Sequence, residues 1–89
     1  MKKFTEGKFY RALGQIEVFR LNLNDDGDIV GEGNATVERH QVIRIVNREV
    51  FRDAYGRREF TAVHALSVDE NVVLCLVEEE DREAFVRAE

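Results

Sequence analysis

An α+β fold is predicted by three features of these 89 residues. Residues 29–38 alternate apolar or small with polar side chains just after a turn-forming Asn24-Asp25-Asp26-Gly27-Asp28 cluster. A second segment carries helical spacing between Asn47 and Gly56, and residues 79–88 open with a run of acids that suits a helix N-terminus. The predicted order is ββαββα over one domain, residues 1–89, with or without a short leading helix.

Taken in order, Thr5 could cap a short helix to Leu13 with Gly14 beyond its end and Phe4 stapled onto Phe9. A strand is the competing reading there. Residues 15–23 read as a strand with Phe19, Leu21 and Leu23 on one face. After the turn, Ile29, Gly31, Gly33, Ala35 and Val37 share a face, and these small residues are expected to pack against the bulky trio in a hairpin. Val42, Ile43, Ile45 and Val46 are β-branched, so residues 37–46 could be strand or the start of a helix. For 48–55 the spacing predicts a helix. Asn47 is its N-cap, Gly56 its C′ residue, and Val50, Phe51, Ala54 and Tyr55 fall within an arc of about 140°. Residues 60–68 and 72–77 read as a second hairpin joined through Asp69-Glu70-Asn71. Both faces of 72–77 are apolar, as in an inner strand covered on both sides. Residues 79–88 complete the order as a short acidic helix packed through Ala84, Phe85 and Ala88.

Composition narrows the function. A chain with 44% apolar and 35% charged residues is expected to be globular rather than disordered. One cysteine excludes an internal disulfide framework, and with only two histidines a Cys/His zinc site lacks ligands. The apolar runs are too short to span a bilayer as helices, and no signal-type stretch follows Met1, so a cytoplasmic location is expected. The net charge of −5 is unevenly placed: −1 over residues 1–35, +2 over 36–64 and −6 over 65–89. Overall acidity argues against bulk binding to nucleic acid.

Candidate chemistry is sparse. Asn22, Asn24, Asp26, Gly27 and Ile29 match part of a calcium-loop pattern, but position 12 is Gly33, so a plain β-turn is the stronger reading and no metal is expected. Cys75 reads as an inert core thiol and His64 as a hydrogen-bonded, partly buried histidine. No carboxylate pair has a setting that would split its pKa values, so no catalytic residue and no cofactor is assigned. Arg44, Arg48 and Arg52 recur every fourth residue and would line one helix face, with Arg57 and Arg58 just beyond. Opposite in sign, Glu79, Glu80 and Glu83 form an acidic C-terminal face.

Ser67-Val68-Asp69-Glu70-Asn71-Val72-Val73-Leu74 resembles a stretch of the phage uracil-DNA glycosylase inhibitors, which are also small and acidic. It covers eight residues, nothing upstream matches, and no site residue is carried over from it. What the resemblance implies is that a small acidic α+β protein can act by occupying an enzyme's nucleic-acid groove. The function expected from the residues is that of a non-enzymatic protein-binding regulator or inhibitor, bacterial or phage. It would dock a basic partner through Glu79, Glu80 and Glu83, or pair that face with Arg44, Arg48 and Arg52 of a second copy. The alternative is a small nucleic-acid-binding domain using Arg44, Arg48, Arg52, Arg57 and Arg58.

Overall fold

Residues Val42–Arg52 form one strand of 11 residues, where a helix was expected over 48–55. This difference changes the fold class. The computed structural model, which describes residues 2–67 and 72–88, is an all-antiparallel sheet of seven strands with one four-residue helix, not an α+β ββαββα fold. In chain order the strands are β1 (Phe9–Ala12), β2 (Ile16–Leu23), β3 (Ile29–Val37), β4 (Val42–Arg52), β5 (Glu59–Ser67), β6 (Val72–Val77) and, after helix α1 (Glu78–Asp81) and a 3₁₀ turn (Arg82–Ala84), β7 (Phe85–Arg87). In space they run β3-β2-β6-β5-β4-β1-β7.

Tertiary pairing explains why β4 is extended. Five of its residues are β-branched, and the strand finds partners on both sides, β1 over Val42–Arg44 and β5 over Ile43–Arg52. Asn47 caps nothing. Gly56 does adopt positive φ (66°), but to close the β4–β5 hairpin rather than a helix. There Asp53 Oδ1 accepts hydrogen bonds from the backbone N–H groups of Tyr55 and Arg57. The predicted turn at 24–28 forms in the same way, with Asn24 Oδ1 accepting from the N–H groups of Asp26 and Asp28 and Gly27 at φ 85°.

The N-terminal segment takes its strand alternative. Phe4 packs edge-on against Tyr10 and Phe85, not onto Phe9. The C-terminal helix predicted over 79–88 stops at Asp81. Phe85 is only 2% exposed, because the chain turns to lay β7 along β1. Arg82 holds that turn: it donates to the Phe85 carbonyl and stacks over Phe4 and Tyr10. The predicted link 69–71 lies outside the described residues.

One face of the sheet carries the core. Val18, Val37, Ile43, Ile45, Val63, Ala65, Leu74 and Leu76 are all buried there with Phe4, Tyr10 and Phe85. Seven flat strands would set β3 and β7 about 29 Å apart at ~4.8 Å spacing. His40, three residues past Val37, nevertheless donates its N–H to the Ala12 carbonyl at 2.8 Å, and Ala12 pairs with Phe85 of β7, so the sheet rolls around this inner face. Register also corrects the predicted hairpin packing. Gly31, Gly33, Ala35 and Val37 lie opposite Asn22, Arg20, Val18 and Ile16 on the inner face. Phe19 and Leu21 point the other way, opposite Asn34 and Glu32. No helix among the described residues is long and apolar enough to cross a membrane.

Candidate functional site

Residues directly opposite one another on antiparallel strands share a face, so the register builds the outer surface row by row. One row runs Glu32, Leu21, Val73, Leu66, Arg44 across β3, β2, β6, β5 and β4. The next runs Asn34, Phe19, Cys75, His64, Asn47. A third carries Thr36, Glu17, Ala62 and Glu49, with Val77 between the two pairs, and Phe51 and Phe60 stack beyond it, ring centroids 5.7 Å apart. The result is an apolar field four strands wide on the side of the sheet away from the core.

Nothing among the described residues covers this field. Phe19 is 44% exposed, Ile29 62% and Phe51 43%, while the inner-face Ile45 and Val63 are at 0%. Between β2 and β4 the surface dips into an open groove of about 380 Å³, lined by Leu21, Leu23, Ile29, Val46, His64 and Leu66 among others. Val46 enters it because β4 carries an extra residue between Ile45 and Asn47, a bulge that turns every later side chain of β4 to the opposite face.

The second row sets Asn47, His64 and Cys75 side by side. His64 Nδ1 lies 2.8 Å from Asn47 Oδ1, so the Nδ1–H tautomer donates to the amide oxygen. These three residue types can make a thiol nucleophile when the ring accepts the thiol proton. Here no hydrogen bond joins Cys75 to His64 among the described residues, and burial pushes the thiol pKa up, which keeps sulfur protonated at neutral pH. Asn24, the centre of the calcium-like pattern, spends its side-chain oxygen on two backbone N–H groups. Among the described residues no three His, Cys, Asp or Glu side chains come together as metal ligands.

The predicted charged residues are dispersed. Even-numbered residues of an unbroken strand would share a face, but the bulge puts Arg44 on the outer face and Arg48 on the inner one. Arg48 there donates through Nε and Nη2 to Glu78 at 2.9 and 2.8 Å. Arg52 makes an exposed 2.8 Å ion pair with Glu59, and Arg57 and Arg58 follow in the hairpin turn, Arg57 over the Tyr55 ring. The five arginines therefore do not make one patch. On the acidic side, Glu79 is exposed but engaged within the chain, its carboxylate accepting from the N–H and Oγ1 of Thr61 at 2.7 and 2.9 Å. Burial opposes its ionisation, yet the Thr61 donors outweigh this and hold its carboxyl below the usual range. Glu80 and Glu83 are exposed as well and make no such contact among the described residues, Glu80 lying beside Asp53, Arg58, Phe60 and Val77 at a shallow groove.

Sequence reasoning missed the outer face. Its signal is the two-sided apolar character of 72–77, which implies two coverings, and the described residues supply one. No protein-family model, curated protein or solved structure matches the chain.

Proposed function

We propose that this protein is a binding module, a regulator that acts by contact through the outer face of strands β2, β6 and β5 and performs no covalent chemistry. The observation that supports this is the outward apolar field of Phe19, 44% exposed, with the half-buried Leu21, Leu66 and Val73, on the side of the sheet away from the core. A fold that has already buried its core gains nothing internally from a second apolar surface. Removing that surface from water is worth about 25 cal/mol per Å², which favours a partner that covers it. The engagement of Arg48 by Glu78 and of Glu79 by Thr61 within the chain favours this face over the charged segments as the docking surface.

The test is capture of protein partners, the chain's own copies included, by immobilised wild type, Leu21→Asp and Glu83→Lys. Far-UV circular dichroism verifies that each variant is folded. Leu21→Asp is expected to abolish capture and Glu83→Lys to leave it intact. The opposite pattern would return the docking surface to the acidic C-terminal segment.

A further inference from the structure

Building on the binding-face reading above, we propose that the occupant of the outer face is a second copy of this chain, related by a two-fold axis running along β6. The row Glu32, Leu21, Val73, Leu66, Arg44 has Val73 at its centre, one leucine on either side and opposite charges at its ends. Rotation by a half-turn about an axis over Val73 and parallel to β6 lays this row upon itself end for end. Leu21 then meets Leu66 twice, Val73 meets Val73, and each Glu32 faces an Arg44. The neighbouring row behaves alike, with Cys75 over Cys75, Phe19 over His64 and Asn34 over Asn47.

Charge selects this axis. A two-fold perpendicular to the strands would set Glu32 against Glu32 and Arg44 against Arg44, a repulsive arrangement. Both residues are exposed, and neither is ion-paired within the chain among the described residues. Aligned sheets cross at about 30°, which displaces residues two strands from the axis by roughly 5 Å. The roll of the sheet sets the row ends back from the partner, so the leucines and Val73 form the centre of the contact and the long Glu32 and Arg44 side chains extend towards each other at its rim. The apolar centre is short of charges and the rim carries them, as interfaces between copies require.

Sedimentation equilibrium over a wide concentration range tests the inference on wild type, Glu32→Lys, Arg44→Glu and the double variant. Wild type is expected at twice the 10.3 kDa chain mass. Each single reversal places two like-charged pairs in the dimer and should weaken it about tenfold or more, and the double variant should restore it. A thiol-to-thiol cross-linker should join wild-type copies through Cys75. A dimer indifferent to both reversals, or one the double variant fails to restore, overturns the two-fold along β6. A wild type that stays monomeric overturns the second copy. In that case an apolar-surface dye separates the two readings. Binding that Leu21→Asp abolishes keeps the face open to another protein, and no binding rejects the face as well.

Discussion

Arg48 and Glu78 are joined by two parallel hydrogen bonds, Nε to Oε2 at 2.9 Å and Nη2 to Oε1 at 2.8 Å, and Glu78 Oε2 also accepts from the Phe4 backbone N–H at 2.8 Å. One carboxylate thus ties β4 and the N-terminal segment to the start of α1. Its side chain is 1% exposed, against 27% for Arg48. Glu78→Gln removes the charge and leaves the guanidinium facing a neutral amide. Breaking a fully buried pair costs about 3–5 kcal/mol, and the partial exposure of Arg48 lowers the expectation here to about 2–3 kcal/mol. Urea denaturation should show that loss. The paired change Arg48→Met with Glu78→Leu should cost less than Glu78→Gln alone, because no charge is then stranded.

The same carboxylate makes stability depend on pH. Burial opposes ionisation of Glu78, but the Arg48 hydrogen bonds and the Phe4 N–H outweigh it, so its folded pKa is lowered. A lowered folded pKa means a stabilisation that is fully present above the unfolded value, about 4.3, and is lost as pH falls through the folded one. Glu79 acts in the same direction. Asp81 runs the other way, because burial raises its pKa beyond what the Val77 N–H offsets, so its contribution is present at low pH and lost as pH rises. Thermal unfolding between pH 6 and pH 3 should show a falling Tm in wild type and a shallower fall in Glu78→Gln. Parallel curves would reject Glu78 as the acid-sensitive group.

The two faces of the sheet should respond differently to truncation. Ile45 is at 0% exposure on the inner face, and Ile29 is 62% exposed on the outer one. Ile45→Ala should cost about 2–5 kcal/mol through lost burial and the cavity left behind. Ile29→Ala should change the unfolding free energy of the single chain by no more than about 0.5 kcal/mol. Chemical denaturation at low protein concentration measures both without interference from association.

Strand positions at 29–37 and 72–77 were legible because alternation and two-sided apolarity are local signals. The β4 strand was not, since its fate depended on two like-written turns. Asn24-Asp25-Asp26-Gly27 and Asp53-Ala54-Tyr55-Gly56 share a side-chain oxygen acceptor at the first position and a positive-φ glycine at the fourth. The first reads as a turn. The second reads equally well as a helix end, because a C′ glycine and a hairpin glycine need the same conformation. The bulge after Ile45 leaves no trace in periodicity, yet it separates Arg44 from Arg48. Facing between distant strands, which places Phe19 of β2 beside Cys75 of β6, is a product of strand order and lies beyond any local pattern. Gly56 supplies a direct check. Nothing lies within 4 Å of a Cβ built there, so Gly56→Ala meets only the left-handed backbone cost of about 1–2 kcal/mol. A helix C′ position would show the same cost, but Asp53→Ala separates the two. Loss of the oxygen that holds Tyr55 and Arg57 should destabilise the hairpin by about 1 kcal/mol.

Gly33 and Arg20 form a pair whose energetics should not add. Arg20 lies opposite Gly33 on the inner face and crosses it to donate from Nη1 to the Asn34 carbonyl at 2.7 Å, while Nε donates to Asn22 Oδ1 at 3.2 Å. A Cβ at position 33 would sit 3.3 Å from Arg20 Nη2 and 3.6 Å from its Cζ, so the guanidinium must shift to admit it. In a strand, Gly→Ala by itself is worth about 0.5–1 kcal/mol of stabilisation. In wild type that gain should be cancelled by the disturbed hydrogen bonds, each worth about 0.5–1.5 kcal/mol. In an Arg20→Ala background there is no guanidinium to displace, and the same substitution should stabilise. A double-mutant cycle read by urea denaturation should therefore give a coupling of about 1 kcal/mol. Additive effects would mean that Arg20 does not rest on the glycine, and the polar end of the inner face would need another account.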